Sequence, residues 1–204
     1  MLSAAANGEL SALYVVGEDP ITTYPDREKI ERAFNKTPFV VVQDIFLSPT
    51  AQLADVVLPA ASFAEKDGTF TNAERRIQRV RPGVSTPGEA LTDYEIFEKI
   101  ANLFGSQIRY TGPEAVFAEI GKTVSAYSKI EYAKIGCQGA VWGGETLAPL
   151  KKALAPVDGS QPLDVECQLV TGSALYHSGS LSVHAKGPMA VVSEPYIELS
   201  REDA

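Results

Sequence analysis

The stretch from Asp55 to Gln78, D-V-V-L-P-A-A-S-F-A-E-K-D-G-T-F-T-N-A-E-R-R-I-Q, constrains the fold more than any other part of the chain. An apolar run, Val56 to Leu58, stops at Pro59. A polar loop containing Gly68 follows, and then the mixed cluster Glu74, Arg75 and Arg76. A continuous apolar run, rather than an alternating one, suits a strand covered on both faces. Proline at its end removes an amide donor and stops pairing there.

Similar runs precede this block. Leu13 to Val16 is closed by Gly17 and then Glu18-Asp19-Pro20, which reads as a buried strand ending in a loop. Phe39 to Val42 is stopped by Gln43 and Asp44. Between them, Thr22, Thr23 and Pro25 introduce a helix over Asp26 to Asn35. Pro25 suits a first turn, and Asp26 and Glu28 suit the positive end of the helix dipole. Ser48-Pro49 reads as an N-cap and first-turn proline before a short helix over Thr50 to Leu53. Strand, helix, strand, short helix, strand is the order of a parallel sheet with right-handed crossovers.

After this sheet, Asp67-Gly68 marks a tight turn, and Arg75 to Val80 alternates only weakly. Thr92-Asp93-Tyr94-Glu95 is a capping box, followed by Ile96, Phe97, Ile100, Ala101 and Phe104 at helical spacing. Gly105 stands where a left-handed C-terminal cap belongs. Pro113 to Val124 reads as a second helix burying Val116, Phe117 and Ile120, and Tyr127 to Ile135 as a third. Glycines and prolines over 136–162 indicate a linker or surface excursion, packed down by Trp142. Leu163 to Val170, Met189 to Val192 and Tyr196 to Leu199 are strand-like. Ala4 to Leu10 reads as the tail of one helix and Ser200 to Ala204 as the start of another. The expectation is therefore a piece of a larger subunit, cut within domains at both ends.

The net charge of −8 disfavours nucleic-acid binding. The one basic cluster, Arg75, Arg76, Arg79 and Arg81, reads as either a solvated strand face or an anion site. Cys137 and Cys167 are too few and too distant for a disulfide framework, so buried reduced thiols and a cytoplasmic setting are expected. No stretch approaches the roughly 18 apolar residues of a membrane helix, so direct membrane insertion is not expected. No G-x-G-x-x-G, Walker A or G-x-S-x-G motif is present, which removes support for a common NAD fold, a P-loop enzyme and an α/β-hydrolase.

Ligands of open parallel sheets bind outside the carboxyl ends of the strands. Asp19 and Thr23 follow the first strand, Gln43-Asp44 the second, and Pro59-Ala60 the third. Carboxylates there can accept from ribose hydroxyls or from the N–H edge of guanine; equally, each can be a loop cap or helix-dipole partner. Glu65-Lys66-Asp67 reads as a catalytic cluster or, more simply, a solvated loop. His177 and His184 are the only histidines and lack a neighbouring acid in sequence.

At these residues the chain resembles the molybdopterin oxidoreductase family, which includes formate dehydrogenase catalytic subunits and the G subunit of NADH-quinone oxidoreductase. The matching pieces are Leu13 to Pro20, Val42 to Phe46, Ala54 to Pro59, Glu65 to Gln78, Thr92-Asp93 and Thr171 to His177. The resemblance implies an α/β, doubly wound, Rossmann-like parallel-sheet domain over 1–135. It also implies that 163–204 opens a dinucleotide-binding β-barrel domain. It implies molybdopterin guanine dinucleotide as cofactor, with Asp19, Thr23, Gln43, Asp44 and Asp93 at nucleotide-contacting places and His177 on the pterin side. Iron–sulfur and molybdenum ligands are expected upstream of this sequence, leaving it inert alone. Ser173 replaces an arginine usual in formate dehydrogenases, removing a bidentate anion contact and favouring the G-subunit type. The expected partners are other subunits of a respiratory or formate dehydrogenase complex, peripheral to the inner face of a membrane. A non-catalytic scaffold domain is the remaining alternative.

Overall fold

The computed structural model describes residues 1–142, Gly172, 179–191 and 196–199. It divides into two units, Met1–Lys151 and Lys152–Ala204.

The first unit runs α1 (Leu2–Ala6), β1 (Leu13–Val16), α2 (Pro20–Thr23), α3 (Arg27–Lys36), β2 (Val40–Asp44), a 3-10 turn (Ala51–Leu53) and β3 (Val56–Pro59). The strands form a parallel sheet in the order β1-β2-β3. Side chains alternate across a strand, so Leu13, Val15, Val40 and Val42 share one face. Ala5, Ile21, Ile30, Ala33, Phe34 and Ala51 pack into the same core cluster as Leu13, Val40 and Val42. Tyr14, Val16, Val41 and Gln43 stand on the opposite face. There Phe97 of α4 (Asp93–Leu103) meets Tyr14 edge to face at 6.0 Å. Helices thus flank the sheet on both sides, as expected of a doubly wound fold, but the second face is only partly covered. Tyr14 and Val16 are each 40% exposed.

The two sheet edges differ. The Leu13 amide donates to the Phe39 carbonyl at 2.9 Å and the Gly17 amide to that of Gln43 at 2.8 Å. The backbone groups of Tyr14 and Val16 consequently point away from β2, and among the described residues no strand pairs with that side of β1. Beyond β3, Pro59 lacks a donor and Leu91 closes the edge. The Leu91 amide donates to Pro59 at 3.2 Å, and the Ala61 amide donates to Leu91 at 2.8 Å.

Several helix boundaries follow from their caps. Pro20, not Pro25, occupies the first turn of a helix. Asp26 is the N-cap of α3 in the left-handed region (φ 62°), accepting from the Lys29 amide at 3.2 Å. In the capping box at α4, the Glu95 carboxylate accepts from the Thr92 amide at 2.9 Å. Gly105 (φ 86°) closes α4 in a Schellman motif: its amide reaches Asn102, and that of Ser106 reaches Ala101, both at 3.0 Å. Of the residues at helical spacing along α4, Ile96 is buried, whereas Phe97 is 44% and Phe104 88% exposed.

A second sheet, antiparallel, joins β4 (Gly68–Thr71), β5 (Arg76–Val80) and β6 (Ala140–Val141). The expected turn at Asp67-Gly68 is instead the entry to β4. Ile77 of β5 clusters with Phe117 of α5 (Pro113–Thr123), Tyr132 and Ile135 in a separate small core. The helix expected over Tyr127 to Ile135 is two 3-10 turns, Ser125–Tyr127 and Tyr132–Lys134. The Ser128 hydroxyl donates to the Ser125 carbonyl at 2.7 Å, offering the backbone an alternative to helical pairing. Cys137, expected to be buried, is exposed.

In the second unit, the strand expected over Met189 to Val192 is replaced by α6 (Lys186–Val191). Pro188 falls in its first turn, where a missing amide is tolerated. Tyr196 to Leu199, also expected as a strand, has no regular structure. The strand expected at Leu163 to Val170 and the residues Cys167, Ser173 and His177 lie outside the described residues.

Candidate functional site

Gln43, near the end of β2, is completely buried, and a buried amide must find partners for both its ends. Its Oε1 accepts from the Tyr14 hydroxyl, and its Nε2 donates to Asp93 Oδ1 at 2.7 Å. Asp93 Oδ2 in turn pairs with Lys66 Nζ at 2.5 Å. Tyr14 lies on β1, Lys66 in the loop after β3, and Asp93 is the first residue of α4, where the helix dipole favours a carboxylate. Burial, and then the Asp93 charge, raise the Tyr14 pKa, which keeps the hydroxyl protonated as the donor that Gln43 needs. The result is a relay from Tyr14 through Gln43 and Asp93 to Lys66 on the sheet face that α4 partly covers.

The two acids at the strand ends are held separately, but by one turn. Asp19 Oδ1 accepts from both the amide (3.0 Å) and the hydroxyl (2.5 Å) of Thr50. Asp44 accepts from the Ile45 amide at 2.7 Å and from the Ser48 hydroxyl at 3.3 Å. Ser48 also accepts from the Ala51 amide at 3.2 Å, although the N-cap of the turn is Thr50 and not the expected Ser48. Thr23 is exposed, its hydroxyl within reach of the Glu18 carboxylate at 2.6 Å and the Asp19 carbonyl at 2.9 Å.

The structure therefore brings Gln43 and Asp93 into contact and ties Asp19 and Asp44 to the Ser48–Thr50 turn. Sequence reasoning missed Tyr14 and gave Lys66 no partner. Tyr14 carried a signal, a hydroxyl inside an otherwise aliphatic run, because buried tyrosine hydroxyls need partners. Lys66 carried none, since its partner lies 27 residues away.

The neighbouring charges have structural work. Asp67 accepts from Tyr132 at 2.9 Å and from Arg79 at 3.1 Å, and the Arg79 guanidinium lies over the Tyr132 ring at 4.1 Å from its centroid. Burial alone would raise the Asp67 pKa, but these bonds outweigh it and lower it. Arg76 donates to the Gln138 carbonyl at 2.8 Å, and Arg75 sits over Trp142. These three arginines thus bind the second sheet to the segments packed on it. Glu65 accepts from the Ser62 amide at 2.8 Å, so it serves its own loop.

A cleft of about 270 Å³ opens beside the relay, between β4, the start of α4 and α5. Lys66 and Asp93 form its polar wall; Phe70, Val80, Phe117 and Ile120 form much of its apolar wall. Among the described residues no group of three His, Cys, Asp or Glu side chains is placed to hold a metal ion.

Residues 1–103, which include the parallel sheet and the whole relay, match the family model for molybdopterin oxidoreductase. The chain belongs to the molybdopterin oxidoreductase family. The family includes relatives of more than one kind. The chain is 38% identical over 216 residues to the F420-dependent formate dehydrogenase alpha subunit of Methanocaldococcus jannaschii, covering 94% of this chain and 32% of that one. It is 38% identical over 204 residues to the second NADH-quinone oxidoreductase G subunit of Rhizobium meliloti, covering 100% of this chain and 24% of that one. It is 32% identical to the NADPH-Fe(3+) oxidoreductase alpha subunit of Geobacter sulfurreducens, again covering 24% of the relative. The chain thus spans a quarter to a third of the length of these relatives. Acetylene hydratase from Pelobacter acetylenicus shares the fold, with a TM-score of 0.56 over 70% of this chain and 20% of that one, at 20% identity.

Proposed function

We propose that this chain forms the nucleoside-holding α/β part of an electron-transfer oxidoreductase subunit, and that it grips the guanosine end of a molybdopterin guanine dinucleotide. The observation that carries this reading is the relay itself. A fully buried Gln43 and a helix-terminal Asp93 form a preorganised acceptor at the strand ends, where a parallel sheet binds nucleotides. The residues present fit the nucleoside half of such a group. Asp93 accepts N–H groups of a base, and Lys66 balances its charge.

When bound, the molybdopterin supplies the redox chemistry. This chain's residues bind and orient its nucleoside. Asp19 and Asp44 fix the loops that line the strand ends, and Gln43 holds the Asp93 carboxylate in place. His177 on the pterin side remains part of the proposal. Iron–sulfur clusters and metal ligands would come from other parts of a longer polypeptide, leaving this part inactive alone. Partner subunits would place it at a membrane's cytoplasmic surface.

The test is nucleotide content. In the full-length subunit, Asp93→Asn is expected to reduce guanosine nucleotide recovered from acid-denatured protein on the order of tenfold, as befits loss of a charge-assisted bond. Unchanged recovery would overturn the reading.

A second reading is favoured by the 38% identity to a G subunit over all 204 residues. In that reading the chain is part of a G-type electron-transfer subunit whose fold persists without molybdenum, a non-catalytic scaffold domain being a separate alternative. Stoichiometric molybdenum in the intact subunit would exclude it and favour the formate dehydrogenase type.

A further inference from the structure

We infer that Lys66 is a specificity-determining residue: it donates to O6 of the bound guanine while Asp93 accepts from N1–H and the 2-amino group. The inference rests on the nucleoside-holding role proposed above and adds a residue to it.

Three observations carry it. First, Lys66 is no solvated loop residue. Its side chain is 23% exposed and its ammonium is committed to Asp93 at 2.5 Å. Second, the pair is only partly spent. An ammonium has three N–H donors, and one of them faces Asp93. A carboxylate has about four acceptor positions, and Gln43 and Lys66 occupy one on each oxygen. What remains is two donors, of which one is enough here, beside two acceptors. Guanine presents the complement in the same order: O6, N1–H and N2–H. Third, Lys66 and Asp93 line the cleft whose other walls include Phe70, Val80, Phe117 and Ile120. A flat heterocycle with one polar edge suits such a cleft, its ring on the apolar wall and its edge on the ion pair.

The pattern discriminates among purines. Hypoxanthine keeps O6 and N1–H but lacks the 2-amino group. Adenine carries an amine where guanine has O6 and no hydrogen at N1, so the ammonium and the carboxylate each meet the wrong group in the guanine pose. Leaving a buried polar group unmatched is what rejects such analogues most strongly. The expected order is guanine, then hypoxanthine, then adenine.

The experiment uses the full-length subunit prepared free of cofactor and titrated by calorimetry with GDP, IDP and ADP. Wild type is expected to bind GDP most tightly. Lys66→Met should weaken GDP and IDP equally, on the order of tenfold, leaving their ratio unchanged while narrowing the gap to ADP. Lys66→Arg, which keeps charge and donors, should restore most of the preference. Asp93→Asn should instead erase the GDP-to-IDP ratio. If Lys66→Met and Lys66→Arg both leave every ratio at its wild-type value while Asp93→Asn shifts them, Lys66 has no such role and the nucleoside reading stands. If wild type shows no preference for GDP, the nucleoside reading itself fails. Should Lys66→Met not fold, the comparison of Lys66→Gln with Lys66→Arg decides by the same ratios.

Discussion

Asp19 Oδ1 takes both the amide and the hydroxyl of Thr50, a residue 31 positions later that has no exposed surface. The Thr50 hydroxyl oxygen accepts in turn from the Ile21 amide at 3.1 Å. One carboxylate oxygen therefore joins the start of α2 to the turn before β3. Asp19→Ala should destabilise the protein by about 1–3 kcal/mol, because it strands buried donors. Urea denaturation checks this. Thr50→Val measured beside it should be non-additive with Asp19→Ala, since the two share one set of bonds.

Tyr14→Phe removes the donor to Gln43 Oε1 and leaves a buried acceptor unmatched. A loss of about 1–3 kcal/mol is expected. Gln43→Leu in the same background should recover part of it, because an apolar replacement no longer leaves that acceptor orphaned. A double variant no more stable than Tyr14→Phe alone would show that the hydroxyl contributes little.

The lowered pKa of Asp67 fixes the sign of a pH effect. Its folded carboxyl holds its proton less tightly than the unfolded one, so its contribution is present above the unfolded pKa and is lost as pH falls through the folded value. Stability measured by denaturant midpoints should fall across the acidic range below the ordinary aspartate pKa. Asp67→Asn and Arg79→Met should each flatten that fall. A curve for either variant parallel to wild type would remove Asp67 from the acid response.

Gly139 has a φ of 70°, and a Cβ there would lie 2.5 Å from the Ile77 carbonyl oxygen. Gly139→Ala thus combines backbone strain with a clash against the middle of β5. A cost of about 1–3 kcal/mol from strain alone is expected, with loss of the β5–β6 pairing. Thermal unfolding and the intensity of Trp142 fluorescence, which reports on the same corner, measure it.

What could be read from the sequence was what is encoded locally. The parallel strands announced themselves as apolar runs with polar stops. The capping box at Thr92 and the left-handed Gly105 fixed both ends of α4. The antiparallel hairpin of β4 and β5 was not legible, because Gly68-Thr-Phe-Thr71 lacks a buried alternation and its strand character comes from pairing with β5. Phe97 and Phe104 lie at helical spacing, yet spacing says which residues share a face and not whether anything covers it. The relay was half legible. Gln43 and Asp93 stood out by position and by resemblance, whereas Lys66 acquires its meaning only when the loop after β3 folds back onto the start of α4.

The uncharged outer edge of β1 has a practical consequence for anyone handling this polypeptide. Among the described residues no strand answers the outward peptide groups of Tyr14 and Val16, and they offer a template for another extended chain. A preparation of these residues alone should grow turbid as it is concentrated. Raising salt should not clear it, since no charge on that strand is there to be screened.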